Sequence, residues 1–280
     1  MLWDVFPDGE HFGGAPANVT VHAAGLGAEA MMISAVGQDA RGDEALKRLA
    51  GFGVDTSAVA RLADHPTGVV RVTVDADGLP SYDIAAGSAW DYIPWSAAVD
   101  GAAQRADAIC FGTIARASPV SRATIRRAVA GTRDTAWRLF DVNLRQNYYD
   151  SGLVVESLEL ANAVKLNEEE LPVVARLCGL ASGSSVEQLR ALCQRFGLRL
   201  AALTQGPKGS VLVTAGDAWH APAPKTRVVD TVGAGDAFTA TLLVGILAGE
   251  SMAAVNRRAN VIAAYVCSQP GATPAIPASL

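Results

Sequence analysis

From about residue 28 onward the chain alternates short apolar runs with amphipathic segments of helical period, and this alternation restricts the fold more than any single motif. Strand-length runs occupy 30–36, 108–112, 136–141, 163–166, 200–204 and 210–214. Segments of helical period occupy 16–26, 42–50, 119–130, 153–161, 168–177, 186–196, 235–248 and 252–266. Strands that take turns with helices build a mostly parallel sheet covered by helices on both faces, a three-layer α/β/α domain. In open sheets of this kind ligands gather at the carboxyl ends of the strands. No internal repeat, charge block or low-complexity linker interrupts the 280 residues, so 1–280 is read as a single domain.

One segment departs from the alternation. Residues 67–84 hold two β-rich runs around Asp77-Gly78, which predicts a hairpin. Inside an α/β domain it has little sheet to join, and it serves either as a flap over a site or as an exposed edge hairpin.

Composition narrows the ligand. A net charge of −5 leaves no basic face for nucleic acid or an anionic membrane, so a small molecule is expected. The longest apolar run, 237–248, is well short of the roughly 20 residues that span a bilayer. The first eight residues carry two acids and no basic stretch, unlike a signal peptide, and a cytoplasmic location is expected. Cys110, Cys178, Cys193 and Cys267 lie far apart among apolar neighbours and read as buried free thiols. His11, His22, His65 and His220 show no metal-ligand spacing.

The strongest chemical signal is Asp230-Thr231-Val232-Gly233-Ala234-Gly235-Asp236-Ala237-Phe238, where a glycine turn opens an apolar helix. Gly233 and Gly235 let an anion approach the backbone, and the unpaired amides and dipole of a helix N-terminus favour negative charge there. Asp236 would repel a phosphate. Its placement suits a base that takes the proton from a hydroxyl attacking that phosphate. The plainer alternative is an Asp N-cap after a Gly turn.

A second turn, Gly13-Gly14-Ala15-Pro16-Ala17-Asn18, enters a helix with proline near its first position. With Asp4 and Asp8 upstream, Asn18 offers the mixed donors and acceptors that a polyhydroxylated ligand needs, although a Gly-Gly-Pro entry can be purely structural. In Lys165-Leu166-Asn167-Glu168-Glu169-Glu170, Asn167 and Glu170 share a helix face. They read as a capping pair, or Glu170 as a carboxylate near Mg²⁺, which needs only one or two carboxylates beside phosphate and water. The stretch 204–210, between two strands, is either a plain turn or a loop touching a nucleotide. Gly25 to Ala30 matches the dinucleotide pattern only in letters, since it follows a helix and precedes a strand. No G-x-x-x-x-G-K-[ST] is present, which excludes a P-loop enzyme.

Taken in order, these residues resemble the ribokinase-like (PfkB) family of carbohydrate kinases over essentially the whole chain. Gly13 to Asn18 is similar to the family's N-terminal signature and Asp230 to Phe238 to its C-terminal one. Asn167 with Glu170 matches its N-x-x-E element, and Thr204, Gly206 and Gly209 match a T-x-G-x-x-G loop. Asn260 and the tail 268–274 resemble the adenine-proximal helix and closing loop. The stretches 2–10, 65–68, 89–91 and 141–145 look most like bacterial fructokinases. The apolar lead-in that the family carries before the equivalent of Leu2 is absent.

The resemblance implies a ribokinase-like fold with a β lid around 2–13 and 67–88, and an ATP-dependent sugar kinase using Mg²⁺ and K⁺. It makes Asp236 the catalytic base and gives Gly233, Ala234 and Gly235 the anion hole. Asp4, Gly13, Gly14 and Asn18 then bind the sugar. Asn167, Thr204, Gly206, Gly209, Lys225 and Asn260 line the nucleotide site. Glu170 acts on Mg²⁺ through water, and Asp230 and Val232 match a monovalent-cation site. Fructose is the expected acceptor, with a homodimer through the lid as one arrangement of its open edge. Trp3, Phe6 and Phe12 could instead stack on the base of a nucleoside, ribose or a keto-deoxy acid could replace fructose, and a non-catalytic binding module is the reading from another class.

Overall fold

The computed structural model describes residues 1–6, 9–74, 80–146 and 148–280. Asp8 and the Asp77-Gly78 turn lie outside the described residues. In chain order the elements are β1 (Leu2–Phe6), β2 (Gly9–Gly13), α1 (Ala15–Gly25), β3 (Ser34–Gly37), α2 (Ala40–Gly51), β4 (Val59–Leu62), β5 (Val69–Val74) and β6 (Pro80–Ile84). They continue with α3 (Ala97–Arg105), β7 (Ala108–Phe111), α4 (Pro119–Ala130), β8 (Trp137–Asp141), α5 (Ser151–Leu160), β9 (Ala163–Asn167), α6 (Glu170–Leu177) and α7 (Ser185–Phe196). Last come β10 (Leu200–Thr204), β11 (Ser210–Val213), β12 (Ala218–Ala221), α8 (Ala234–Leu247) and α9 (Met252–Cys267).

The main sheet runs β12-β11-β10-β9-β8-β7. Strands β7 to β10 are mutually parallel, and β11 and β12 add an antiparallel edge. Residues of alternating parity separate its two faces, because successive side chains on a strand point to opposite sides. Phe140, Val164, Leu166, Ala201 and Leu203 pack against Val154 and Leu158 of α5, Leu171 and Val174 of α6, and Leu189 and Leu192 of α7. Trp137, Leu139, Ala163, Leu200, Ala202 and Leu212 pack against Phe238 and Leu242 of α8 and Val255 and Ala259 of α9. The three layers follow the sequence alternation.

Local chemistry sets the helix ends. Asp39 accepts from Gly42 N at 2.8 Å and Asp150 from Leu153 N at 2.7 Å, so each caps the helix that follows. Ser184 and Glu187 form a capping box at α7, which ends on Gly197 at φ 64°.

The 67–84 hairpin forms as β5 and β6, but it does have a sheet to join. β1 pairs parallel with β5 and antiparallel with β2, giving a second sheet in the order β2-β1-β5-β6. A parallel partner more than 60 residues away leaves no local trace, so the hairpin alone looked unattached. The expected 30–36 strand is shorter than its apolar run. Only Ser34–Gly37 pairs, parallel to β4, while residues before it exchange single hydrogen bonds with Asp55. The elements α3, β4 and β12 escaped the sequence reading. Among the four cysteines no disulfide forms, with Cys178 and Cys193 buried and Cys110 and Cys267 half-buried.

Phe140 is fully buried at the centre of the main sheet, stacked on Phe111 at 5.5 Å between ring centroids. Phe140→Ala is expected to lower unfolding stability by about 3–5 kcal/mol, read from the denaturant midpoint.

Candidate active site

The two glycine turns meet. Asn18, buried on the first turn of α1, donates from Nδ2 to Asp236 Oδ2 at 2.8 Å. Gly14 is the residue before α1 and sits at φ 100°, a conformation natural to glycine, and a Cβ there would press on the Leu2 side chain. A Cβ on Gly13 would lie 3.2 Å from Asp4 Oδ2 and 3.9 Å from Asn18 Oδ1. Asp4, Gly13, Asn18 and Asp236 thus adjoin one another. Asn18 Oδ1 is buried with no hydrogen-bond partner, an acceptor that a ligand hydroxyl would satisfy.

Gly233 begins α8 at φ 80°, and a Cβ there would strike the Ala272 carbonyl oxygen at 2.1 Å. The N-cap is therefore Gly233 and not Asp236, which is the third residue of the helix. The amides of Gly235 and Asp236, in the first turn of α8, have no intrahelical acceptor, and no side chain caps them. The tail loop is fixed to this turn. Asp230 accepts from Val232 N at 3.0 Å and from Gly271 N at 3.1 Å, and His22 of α1 lies 2.9 Å from the Ala272 carbonyl oxygen.

Burial raises Asp236 to a pKa of about 7, and the nearby Asp141 adds to the effect, while Asn18, Lys165 and Arg145 oppose it. A carboxyl poised near neutrality suits a general base. Burial likewise raises Asp4 to about 6, with His11 opposing.

At the carboxyl end of β9, Asn167 and Glu170 make the capping pair. Asn167 Oδ1 accepts from the amides of Glu169 and Glu170 at 2.9 Å, and Glu170 returns bonds to Asn167 N at 2.9 Å and Leu144 N at 3.0 Å. Burial raises the pKa of Glu170. Among the described residues no cluster of three His, Cys, Asp or Glu side chains could hold a metal ion. Thr204 ends β10 beside Asn167. Gly206 at φ 52° and Gly209 at φ 101° shape the turn to β11, and a Cβ on Gly209 would meet the Ala221 carbonyl oxygen at 2.0 Å. Lys225 and Val232 are exposed.

Asn260 is buried, its Nδ2 donating to Ser210 Oγ at 2.6 Å and to the Asn256 carbonyl at 2.8 Å, so it ties α9 to β11. Trp3 and Phe12 are redirected. Only 4% and 9% exposed, they pack edge to face in the core beneath α1 and α2 and are not available to stack on a ligand base. The side chain of Phe6 lies outside the described residues.

The model of the pfkB family carbohydrate kinases matches residues 8–279. The chain belongs to that family. It is an ATP-dependent carbohydrate kinase with the ribokinase-like fold. A fructokinase of Klebsiella pneumoniae is 34% identical over 257 residues, covering 88% of this chain and 81% of that protein. An uncharacterized sugar kinase from Pyrococcus horikoshii, solved in complex with ATP, superposes with a TM-score of 0.82 at 30% identity, over 98% of this chain and 92% of that one. The aminoimidazole riboside kinase from Salmonella enterica, complexed with aminoimidazole riboside and an ATP analog, gives 0.80 at 26% identity, over 99% and 94%.

Sequence reasoning gave no role to three residues of this kinase next to Asp236. Lys165 Nζ lies 3.2 Å from Asp141 Oδ1, and Thr239 Oγ1 donates to Asp141 Oδ2 at 2.8 Å. The signal was a lysine inside the apolar run 163–166, since a lysine on a buried strand requires an acidic partner.

An acid whose pKa is higher folded than unfolded holds its proton more tightly when folded. Stability is therefore lost as pH rises from about 4 to about 7, the span between the ordinary and shifted values of Asp236. Removing the charge should recover it: Asp236→Asn is expected to be more stable than the native enzyme at pH 8 by roughly 1–3 kcal/mol, and no more stable at pH 4, by urea unfolding without ligands.

Proposed function

We propose that this kinase transfers the γ-phosphoryl of ATP to a hydroxymethyl oxygen of fructose, with Asp236 as the base. The supporting observation is the 2.8 Å hydrogen bond from Asn18 to Asp236, which brings the polyol-suited turn against a near-neutral carboxyl at an uncapped helix start. The sugar hydroxyl gives its proton to Asp236 as its oxygen bonds to the γ-phosphorus, and the bond to the β-phosphate oxygen breaks to release ADP. The amides of the Gly233, Ala234 and Gly235 turn take up the charge that grows on the transferred group. Each well-placed donor contributes on the order of 3 kcal/mol and the base roughly 10² to 10⁴ in rate.

Asp4, Gly13, Gly14 and Asn18 hold the sugar in this reading, and the unpartnered Asn18 Oδ1 receives one of its hydroxyls. The sheet of β1, β2, β5 and β6 serves as the lid, and its free edge is where a second copy would pair. Asn167, Thr204, Gly206, Gly209 and Lys225 line the nucleotide side. Mg²⁺, when bound, would neutralise phosphate charge, and Glu170 would help to hold it through water. Asp230, Val232 and the tail loop offer oxygens to K⁺. No described helix is long and apolar enough to cross a membrane, which fits the cytoplasmic location in which ATP is plentiful.

Fructose is favoured over a riboside because Trp3 and Phe12 are turned into the core. A coupled ADP-release assay across fructose, ribose, aminoimidazole riboside and ketodeoxygluconate is expected to give fructose the highest kcat/KM by about tenfold or more. A higher value for any other acceptor removes fructose and leaves the kinase. Asp236→Asn should bind ATP normally and lose at least about a hundredfold in kcat; near-native turnover eliminates Asp236 as base.

A further inference from the structure

Beneath the N-terminus of α8 lies a buried ion pair to which the proposed reaction assigns no part. Parity along β8 and β9 turns Asp141 and Lys165 to the α8 face, where they are Cα partners across the parallel pair. Both are nearly inaccessible, with exposures of 5% and 7%. Lys165 Nζ lies 3.2 and 3.4 Å from the two Asp141 oxygens. Thr239, one helical turn beyond Asp236, donates to Asp141 Oδ2 at 2.8 Å, with the Gly235 carbonyl 3.0 Å from the same hydroxyl. A Cβ built on Gly235 would stand 3.2 Å from Lys165 Nζ, so the ammonium abuts the turn that carries Asp236.

A buried ion pair seldom repays the loss of hydration, and apolar residues would fill this position at no energetic disadvantage. Its placement under a functional turn calls for another explanation. Two carboxylates sharing a water-poor site cannot both ionise unless a cation lies between or beside them.

We propose that the Lys165–Asp141 pair is a positioning device for phosphoryl transfer: it sets the proton affinity of Asp236 and braces the glycine turn above it. The inference rests on Asp236 being the base. The groups facing Asp236 come from every side: Asn18 from α1, Cys110 from β7, Asp141 from β8, Arg145 from the loop after β8, and Lys165 from β9. Glu170 at the start of α6 acts on Lys165, and Asp4 lies across Gly13. Asp141 favours the protonated base, and Lys165 with Arg145 favours the ionised one. Lys165 itself stays charged, since Asp141, Asp236 and Glu170 outweigh the effect of burial.

The acid limb of kcat/KM reports the base of the free enzyme and provides the test, run on the full chain with ATP and its best sugar. Lys165→Met is expected to move that limb up by about one pH unit or more, and Asp141→Asn to move it down. Lys165→Arg keeps the charge and should bring the limb back to within about half a unit of native. Limbs within about 0.3 unit of native in the folded Lys165→Met and Asp141→Asn enzymes overturn the proposal. Should either single variant fail to fold, the Lys165→Met/Asp141→Asn double, which leaves neither charge unpaired, decides by kcat. A loss of about tenfold or more with little change in either KM is expected, and native kcat overturns the proposal. Asp236→Asn is measured alongside. Turnover retained there removes the base itself, whereas an inactive Asp236→Asn with unmoved limbs removes only the part given to the pair.

Discussion

The contact between Asn18 and Asp236, 218 residues apart in sequence, is the interaction on which the site depends. It joins the first turn of α1 to the first turn of α8, each entered through a glycine whose φ is positive. Either helix start alone is an ordinary turn with free amides. Brought together, they set an amide donor, a carboxyl and an uncapped helix terminus within one space. The tail loop closes the arrangement, because Ala272 fills the place of a Gly233 side chain and His22 reaches its carbonyl oxygen from α1. The helix that bears Asn18 therefore also helps to hold the turn that bears Asp236.

The main sheet divides its labour by parity. One face is filled with aliphatic and aromatic side chains against α5, α6 and α7. The other is apolar along most of its breadth against α8 and α9, then turns polar at the carboxyl ends of β8 and β9, where Asp141 and Lys165 replace hydrocarbon. That is where strands of an open α/β sheet meet their ligands. Charge is tolerated there because each buried group has a partner. Asp141 has Lys165 and Thr239, Asp236 has Asn18, and Glu170 has two backbone amides.

Family membership constrains the chemistry more than the acceptor. Relatives at similar identity include a fructokinase and a sugar kinase, while a solved neighbour of comparable TM-score binds aminoimidazole riboside. The fold is common to the solved ones, and within one fold acceptors are distinguished by a few contacts in the site. In this chain Trp3 and Phe12 point inward, so in the proposed reading Asp4, Gly13, Gly14 and Asn18 are the groups that meet the acceptor.

Much was legible before any coordinates. Apolar periodicity foretold the layered α/β fold, since burying one face of each element leaves few other arrangements, and Asp230 to Phe238 announced a helix start after a glycine turn. The capping of Asn167 by Glu170 was legible as well, because both partners lie within one helical turn. Distance in sequence hid the rest. Parallel pairing of β1 with β5, the inward turn of Trp3 and Phe12, the hydrogen bond of Asn260 to Ser210, and the assembly of Asp141, Lys165 and Thr239 under Asp236 all join segments that no local pattern links. Sequence determined which backbone turns could receive an anion and which residues could give or take a proton, because those properties reside in glycine geometry and side-chain chemistry. Tertiary structure decided which of them meet and at what proton affinity, because desolvation and charge proximity exist only once distant strands are packed side by side.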